Sequence, residues 1–305
     1  LVLGHSPVHA IERAVKKDIS VTVFQPDVLM AAAEIGRRHR NAVKVHVKVD
    51  TGMGRIGVRG SSASLALCKL AAALPGIAWQ GLFTHFATAD DRDKTYVHAQ
   101  AALFEALLED VKATIGLPPL VHAANSAATI DLPSTHYTMV RVGIGLYGSL
   151  PSADVRGERI ARLRQALCLK SRIVRLEALE PGSSISYGRK YVTVRQEWIA
   201  TVPIGYGDGY SRMLTGKAHV LVRGQLAPVV GTICMDQLMV NVSHIDGAQE
   251  GDEVVLYGRQ GDRMITLDSV AEQLGTISYE VACAVGQRVP RYYTDWLAER
   301  AELRA

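Results

Sequence analysis

Val43-Lys44-Val45-His46-Val47-Lys48-Val49-Asp50 alternates valine with lysine or histidine along its whole length. That period of two, carried by β-branched residues, marks a strand. Ser61 to Leu74 follows as a helix, so the stretch is one βα unit, and the neighbouring sequence repeats the arrangement. Upstream, Leu1 to Gly4 reads as a buried strand with a helix through Ile11, Ala14 and Val15, and Ile19 to Phe24 as a second strand before the helix that Pro26-Asp27 starts. Downstream, Trp79 to Phe86 is a fourth strand with a helix from about Asp93 to Ile115. Leu120 to Ala123 is a fifth, leading into Asn125-Ser126 and a short helix, and Met139 to Ile144 a sixth. Six consecutive βα units predict either an open doubly wound sheet or most of an eight-stranded α/β barrel. No G-x-G-x-x-G follows the first strand, which weighs against the dinucleotide-binding fold.

From about residue 160 the texture changes. Cys168 to Leu176, Trp198 to Ile204, His219 to Val222, Val229 to Met235 and Val254 to Tyr257 read as strands, separated by turns such as Pro181-Gly182 and Arg223-Gly224. Only Leu267 to Leu274 reads as a clear helix there. The expected organisation is an α/β barrel domain over residues 1–158 with six of eight units, then a mostly β domain over 159–305. Arg156 to Arg164 is read as a solvated helix face. The chain opens at Leu1, without Met and inside a strand-like run. The expectation is therefore that two barrel units, on the order of 60–80 residues, precede it.

Composition narrows the function classes. With 48% hydrophobic and 21% charged residues among 305, this is an ordinary globular chain able to bury a large core. A net charge of +4 with scattered Lys and Arg does not suggest nucleic acid. Four cysteines far apart, with no C-x-x-C pair, argue against a zinc site or disulfide framework and suit a reducing cytoplasm. No apolar run reaches the roughly 18 residues of a membrane span.

In a parallel barrel the C-terminal ends of the strands face the active site. Here they carry Asp50-Thr51-Gly52-Met53-Gly54-Arg55, Thr84-His85-Phe86, His122-Ala123-Ala124-Asn125-Ser126 and Arg141 with Gly143-Ile144. A buried guanidinium needs acceptors, so Arg141 inside an apolar strand points to function, while His85 alone is as well explained as a structural histidine. Ser126 at a helix start and Gly143, where backbone can approach a ligand, suit a phosphate, although helix capping alone would also explain Asn125-Ser126. In the second domain Tyr206 stands among glycines in Ile204-Gly205-Tyr206-Gly207-Asp208-Gly209-Tyr210, which a tight turn would also explain. Ile233-Cys234-Met235-Asp236-Gln237 ends a strand with polar residues.

These segments resemble the alanine racemase family. Val47 to Arg55, Thr84 to Asp90, Asn125-Ser126-Ala127, Arg141 to Ile144, Pro203 to Gly209, Ile233 to Gln237 and Ile277-Ser278-Tyr279-Glu280 fall in its order and spacing, so the resemblance covers essentially the whole chain. It implies a pyridoxal-phosphate-binding α/β barrel, a β domain, and a cytoplasmic homodimer whose active sites draw on both subunits. The implied reaction interconverts L- and D-alanine, supplying D-alanine for peptidoglycan. Serine or broader specificity, or an inactive dimerising remnant, are the alternatives.

The resemblance also implies roles. Ser126, the backbone at Gly143 and Ile144, and Tyr279 correspond to phosphate contacts. Arg141 corresponds to the arginine facing the pyridine nitrogen, and His85 to the imidazole between it and the catalytic tyrosine, Tyr206. Arg55 corresponds to the contact with the cofactor's phenolic oxygen and the substrate carboxylate, Met235 and Asp236 to substrate contacts from the partner subunit, and Lys48 to a position carbamylated in some members. No metal is implied. The family's Schiff-base lysine, in a lysine-alanine-asparagine-alanine-tyrosine-glycine motif after the first barrel strand, has no match here. The expectation is that it lies in the missing segment and that the chain alone is inactive.

Overall fold

The computed structural model describes residues 1–155 and 163–294, which fall into two compact units, Leu1–Leu146 with Leu150–Leu163, and Tyr147–Ser149 with the chain from Arg164 onward. The expected boundary after residue 158, and most of the Arg156–Arg164 stretch, lie outside the described residues.

The first unit alternates strand and helix: β1 (Val2–His5), α1 (Val8–Lys16), β2 (Val21–Val23), α2 (Pro26–His39), β3 (Val43–Lys48), α3 (Ser61–Ala73), β4 (Ile77–Phe83), α4 (Thr95–Thr114), β5 (Leu120–His122) and α5 (Ser126–Asp131). All neighbouring strands pair in parallel and in sequential order, β1-β2-β3-β4-β5. A doubly wound sheet reverses its strand order at a switch point, whereas a barrel adds each strand beside the last, so the order matches barrel winding. The alternation in β3 has its expected result. Val43, Val45 and Val47 are fully buried in the core that also holds Ile11, Leu29, Leu67 and Phe104. His46 and Lys48, on the opposite face, are buried as well.

The helices follow their local chemistry. In α1, Ile11, Ala14 and Val15 form the one buried stripe. Pro26 sits at the start of α2, where its missing N–H costs nothing; Asp27 lies in the first turn and Arg37, Arg38 and His39 in the last, complementing the helix dipole. Arg40 then closes the helix in the left-handed region, φ 51°.

Two expectations for this unit need correction. β1 is a strand but an exposed one, because it is the sheet's edge and pairs only with β2. Met139 to Ile144 is not a strand. It follows the end of β5 through separate bonds, Thr138 N–H to Val121 O and Arg141 N–H to Ala124 O, and then tightens into a 3-10 turn over Ile144–Tyr147. The glycines in Gly143-Ile144-Gly145 favour that turn over a continued ladder.

The second unit contains β6 (Leu169–Arg172), β7 (Arg175–Leu179), β8 (Ser184–Ile185), β9 (Tyr191–Val192), β10 (Glu197–Val202), β11 (His219–Val222), β12 (Gln225–Val230), β13 (Leu238–Asn241), β14 (Glu253–Gln260) and β15 (Arg263–Ile265), with α6 (Leu267–Leu274) and α7 (Ser278–Ala284). Its main sheet is antiparallel, in the order β15-β14-β11-β12-β13-β10-β7, with β6 on β14. The stretch expected as one strand over Cys168 to Leu176 is two, and Val229 to Met235 ends as a strand at Val230, where Gly231 turns the chain at φ 69°. Ile233 to Gln237 is therefore a loop between β12 and β13 rather than a strand end. The additional helix α7 buries only Ser278 and Val281, too little apolar surface to show as a stripe in sequence. No helix of the described residues is long and apolar enough to cross a membrane.

Candidate active site

In the first unit the polar residues gather around one aromatic plate, Phe83 at the end of β4. The Arg141 guanidinium and the Lys48 amine each lie 5.2 Å from its ring centroid, and His122 stacks on it at 4.6 Å with 13° between planes. Arg141 Nη1 donates to His122 Nδ1 at 2.7 Å. Nη2 reaches the Thr84 carbonyl at 2.8 Å, the Ala123 carbonyl at 2.8 Å and His85 Nδ1 at 3.0 Å. All four acceptors are neutral groups. Nε–H and the second Nη1 proton have no acceptor among the described residues, leaving donors for a ligand.

Burial under a fixed cation controls the titrating groups. His85 is held down to about 4 by burial, then by Arg141, Lys48 and Arg55, so it is neutral at physiological pH. Lys48 is 3% exposed and its amine is held down to about 7 by burial and then by Arg141. Its one hydrogen bond among the described residues goes to the neighbouring Val49 carbonyl at 3.1 Å. Asp50 behaves oppositely: burial acts to raise it, but donors from Gly54, Arg59 and Gly52 outweigh that and bring it to about 2. Gly52 N–H and Gly54 N–H both reach Asp50 Oδ1 at 3.0 Å, and Arg59 Nε reaches Oδ2 at 2.8 Å, fixing the loop after β3. Arg55, on that loop, is exposed and has no side-chain hydrogen bond among the described residues.

The anion candidate residues also meet. Asn125 caps α5, its Oδ1 accepting from Ala128 N–H at 3.0 Å, which leaves Ser126 for another task. Ser126 Oγ, buried, accepts from Gly143 N–H at 2.9 Å and Gly145 N–H at 3.3 Å. Two backbone amides thus converge on one hydroxyl, with Ile144 buried between them.

The second unit holds its own cluster. Tyr206 opens a 3-10 turn, with its N–H on the Cys234 carbonyl at 3.1 Å, while Gly207 N–H reaches the Met235 carbonyl at 2.9 Å. The Tyr206 ring, Met235 and Tyr279 are all partly exposed. Asp236 accepts from Arg288 Nη2 at 2.6 Å, and Asp208 accepts from the same arginine's Nε at 2.9 Å. Sequence reading passed over Arg288 because its partners lie 52 and 80 residues away. It also passed over Phe83 and the buried pair His46 Nδ1 and His122 Nε2, 2.8 Å apart. The inward alternation of β3 was a signal for His46, and the strand-end position one for His122, but nothing local paired the two. Among the described residues no group of three or more His, Cys, Asp or Glu side chains could hold a metal ion.

Residues 1–151 match the family model "Alanine racemase, N-terminal domain" and residues 166–293 match "Alanine racemase, C-terminal domain". The N-terminal match begins at residue 1 and lends no support to the expectation of a missing lysine-bearing segment. An alanine racemase of Desulfovibrio desulfuricans is 47% identical over 97% of this chain and 78% of its own length. The solved alanine racemase of Clostridium difficile 630 superposes with a TM-score of 0.90 at 41% identity, over 96% of this chain and 75% of its own. A histidine racemase from Leuconostoc mesenteroides subsp. sake also superposes, with a TM-score of 0.86 at 30% identity, over 96% of this chain and 78% of its own.

Proposed function

Because this chain belongs to the alanine racemase family, a family of pyridoxal-phosphate-dependent isomerases, we propose that it interconverts L- and D-alanine by a two-base mechanism and so supplies D-alanine for peptidoglycan. The observation that carries the reading is Arg141, a half-buried arginine that among the described residues has no carboxylate partner, keeps two free donors and holds His85 Nδ1 at 3.0 Å.

The first unit's residues fit the cofactor. Ser126 and the amides of Gly143 and Ile144 would hold its phosphate, and Arg141 would donate to its pyridine nitrogen. When bound, pyridoxal phosphate supplies an electron sink that acidifies the substrate Cα–H. An arginine hydrogen-bonds the ring nitrogen without surrendering a proton, and this limits the sink to the strength racemisation needs. His85 stays neutral beside it and can relay hydrogen bonding without adding a second charge. Arg55 would receive the substrate carboxylate from a loop that Asp50 already fixes.

Racemisation requires a proton to leave one face of Cα and another to arrive on the opposite face. Tyr206 Oη is the proposed donor and acceptor on one face. Met235 and Asp236, tied to Tyr206 through the backbone bonds between their loops, would border the same substrate. We further propose a homodimer in which these second-unit residues serve the barrel unit of the other subunit. Lys48, held near neutrality, can react with CO2: an N–C bond forms, one amine proton leaves, and the resulting carbamate is an anion near Arg55.

The likeness to a histidine racemase favours one second reading, an amino-acid racemase of broader range. Both are tested by incubating the protein with pyridoxal phosphate and L-alanine, L-serine or L-histidine, and following the opposite enantiomer by chiral chromatography and solvent deuterium at Cα. Fastest turnover of alanine supports the first reading and comparable rates the second. No conversion of any of the three would overturn both.

A further inference from the structure

Next to Arg141, bonded through its Nη1, the structure carries a second layer of imidazole that the proposed chemistry does not use. His46 on β3 and His122 on β5 flank β4, and both are buried, at 2% and 0% exposure. They can meet only because the residue between them on β4 is Gly81, paired in register with His46. A Cβ at that position would overlap His46 Nδ1 itself. Phe83 then fixes both rings, stacking on His122 and meeting His46 edge-on at 6.4 Å.

The hydrogen bonds have only one consistent direction. Arginine has no acceptor, so the 2.7 Å contact of Arg141 Nη1 with His122 requires a lone pair on Nδ1. A neutral His122 then carries its proton on Nε2, which donates to His46 Nδ1 at 2.8 Å. His46, having accepted there, keeps its own proton on Nε2. The same rule makes His85, which accepts from Arg141 through Nδ1, an Nε2–H imidazole. A proton added to Nδ1 of either His122 or His85 would set N–H against N–H beside a guanidinium.

We infer that His46 and His122 are positioning residues for Arg141, locked as neutral Nε2–H tautomers in a one-way chain that aims the guanidinium and leaves its positive charge uncompensated. Burial, and then for His46 the charge of the amino terminus followed by Arg141, and for His122 Arg141, push both imidazoles well below their ordinary range, His46 to about 4, in keeping with that geometry. Lys48 also acts on His122, in the same direction, and no carboxylate is among the groups shifting either ring. A buried histidine pair that merely filled space would not need to end on a cation, nor require glycine on the strand it crosses. The catalytic meaning of the chain rests on the reading that Arg141 faces the pyridine nitrogen; the tautomers do not.

The test is long-range 1H–15N correlation on the 15N-histidine-labelled protein, with and without pyridoxal phosphate. His46, His122 and His85 are expected as Nε2–H tautomers that do not titrate from about pH 5 to pH 8. An Nδ1–H on His122, or titration of His46 or His122 in that window, would overturn the inference. Variants then read the positioning role. His122→Leu should weaken pyridoxal-phosphate binding, followed by cofactor absorbance, by roughly tenfold, the size of one lost hydrogen bond to a charged group. His122→Asn, whose side-chain oxygen can replace Nδ1 as acceptor, should recover most of that loss, and a deficit equal to that of His122→Leu would count against positioning. If a variant does not fold, the tautomers in the unsubstituted protein still decide. Locked tautomers without cofactor binding would sink the racemase reading and leave the chain standing; titrating histidines in a protein that racemises alanine would do the reverse.

Discussion

Arg288 Nη2 lies 2.6 Å from Asp236 Oδ1, and through its Nε the same guanidinium holds Asp208 two residues beyond Tyr206. One side chain thereby joins the two loops that carry the proposed substrate-side residues of the second unit. Both partners of the Asp236 pair are solvent-exposed, so the contact adds little stability. Its value lies in fixing geometry. Arg288→Gln is expected to leave the unfolding free energy essentially unchanged. It should also lower kcat by roughly tenfold through looser placement of Tyr206. Urea unfolding and steady-state kinetics check both halves, and full activity in the variant would remove Arg288 from this role.

Tyr206→Phe deletes the proposed proton carrier on one face of the substrate. Deuterium uptake into Cα should fall by about 100-fold or more from one alanine enantiomer, with a much smaller effect from the other. Equal losses in the two directions would show that Tyr206 does not serve a single face.

Ser126→Ala removes the acceptor for Gly143 and Gly145 N–H and the hydroxyl proposed for the phosphate. Pyridoxal-phosphate affinity is expected to drop roughly tenfold in an absorbance titration. Unchanged affinity would place the phosphate elsewhere.

Lys48 gives a pH-dependent stability effect. Its amine titrates at about 7 in the folded chain, while an unfolded lysine titrates near ~10.4. Between those values the unfolded chain binds more protons, so stability rises with pH across that window, and the cost of burying the amine is felt in full below it. Lys48→Met should therefore be stabilising by on the order of a few kcal/mol near pH 6, with the gain shrinking toward pH 10, in CO2-free buffer. Urea unfolding at several pH values measures this; a gain independent of pH would mean that Lys48 is not held near neutrality.

Gly81→Ala places a methyl group against the His46 ring. With Phe83 and His122 packed behind it that ring has nowhere to go, so the cost should be about 1–3 kcal/mol of stability. A neutral substitution, read by thermal unfolding, would show the histidine layer to be looser than drawn.

Much of the first unit was legible because its signals are local. The Val43 to Lys48 alternation, the Ile11-Ala14-Val15 stripe and the Pro26 start each lie within one element, and each element forms where expected. What failed was structure decided by neighbours. Met139 to Ile144 has the apolar content of a strand but makes only scattered bonds to the end of β5, and α7 buries too few residues to show a helical period. The candidate site was legible wherever a strand end carried an uncommon side chain, as at Arg141 and His85. It was illegible wherever function depends on two distant segments meeting. His46 and His122 stand 76 residues apart, and only the missing Cβ of Gly81 lets them touch.

The Asp50 carboxylate, gripped by two backbone amides and Arg59, has a thermodynamic corollary for Arg55. The loop that presents this arginine takes its shape when the chain folds, so a ligand arriving there has only the Arg55 side chain left to immobilise. Association should accordingly lack the large negative heat-capacity change and the slow phase of a segment that orders around its guest. Only acidity approaching pH 2, enough to protonate Asp50, would return that entropy to the loop.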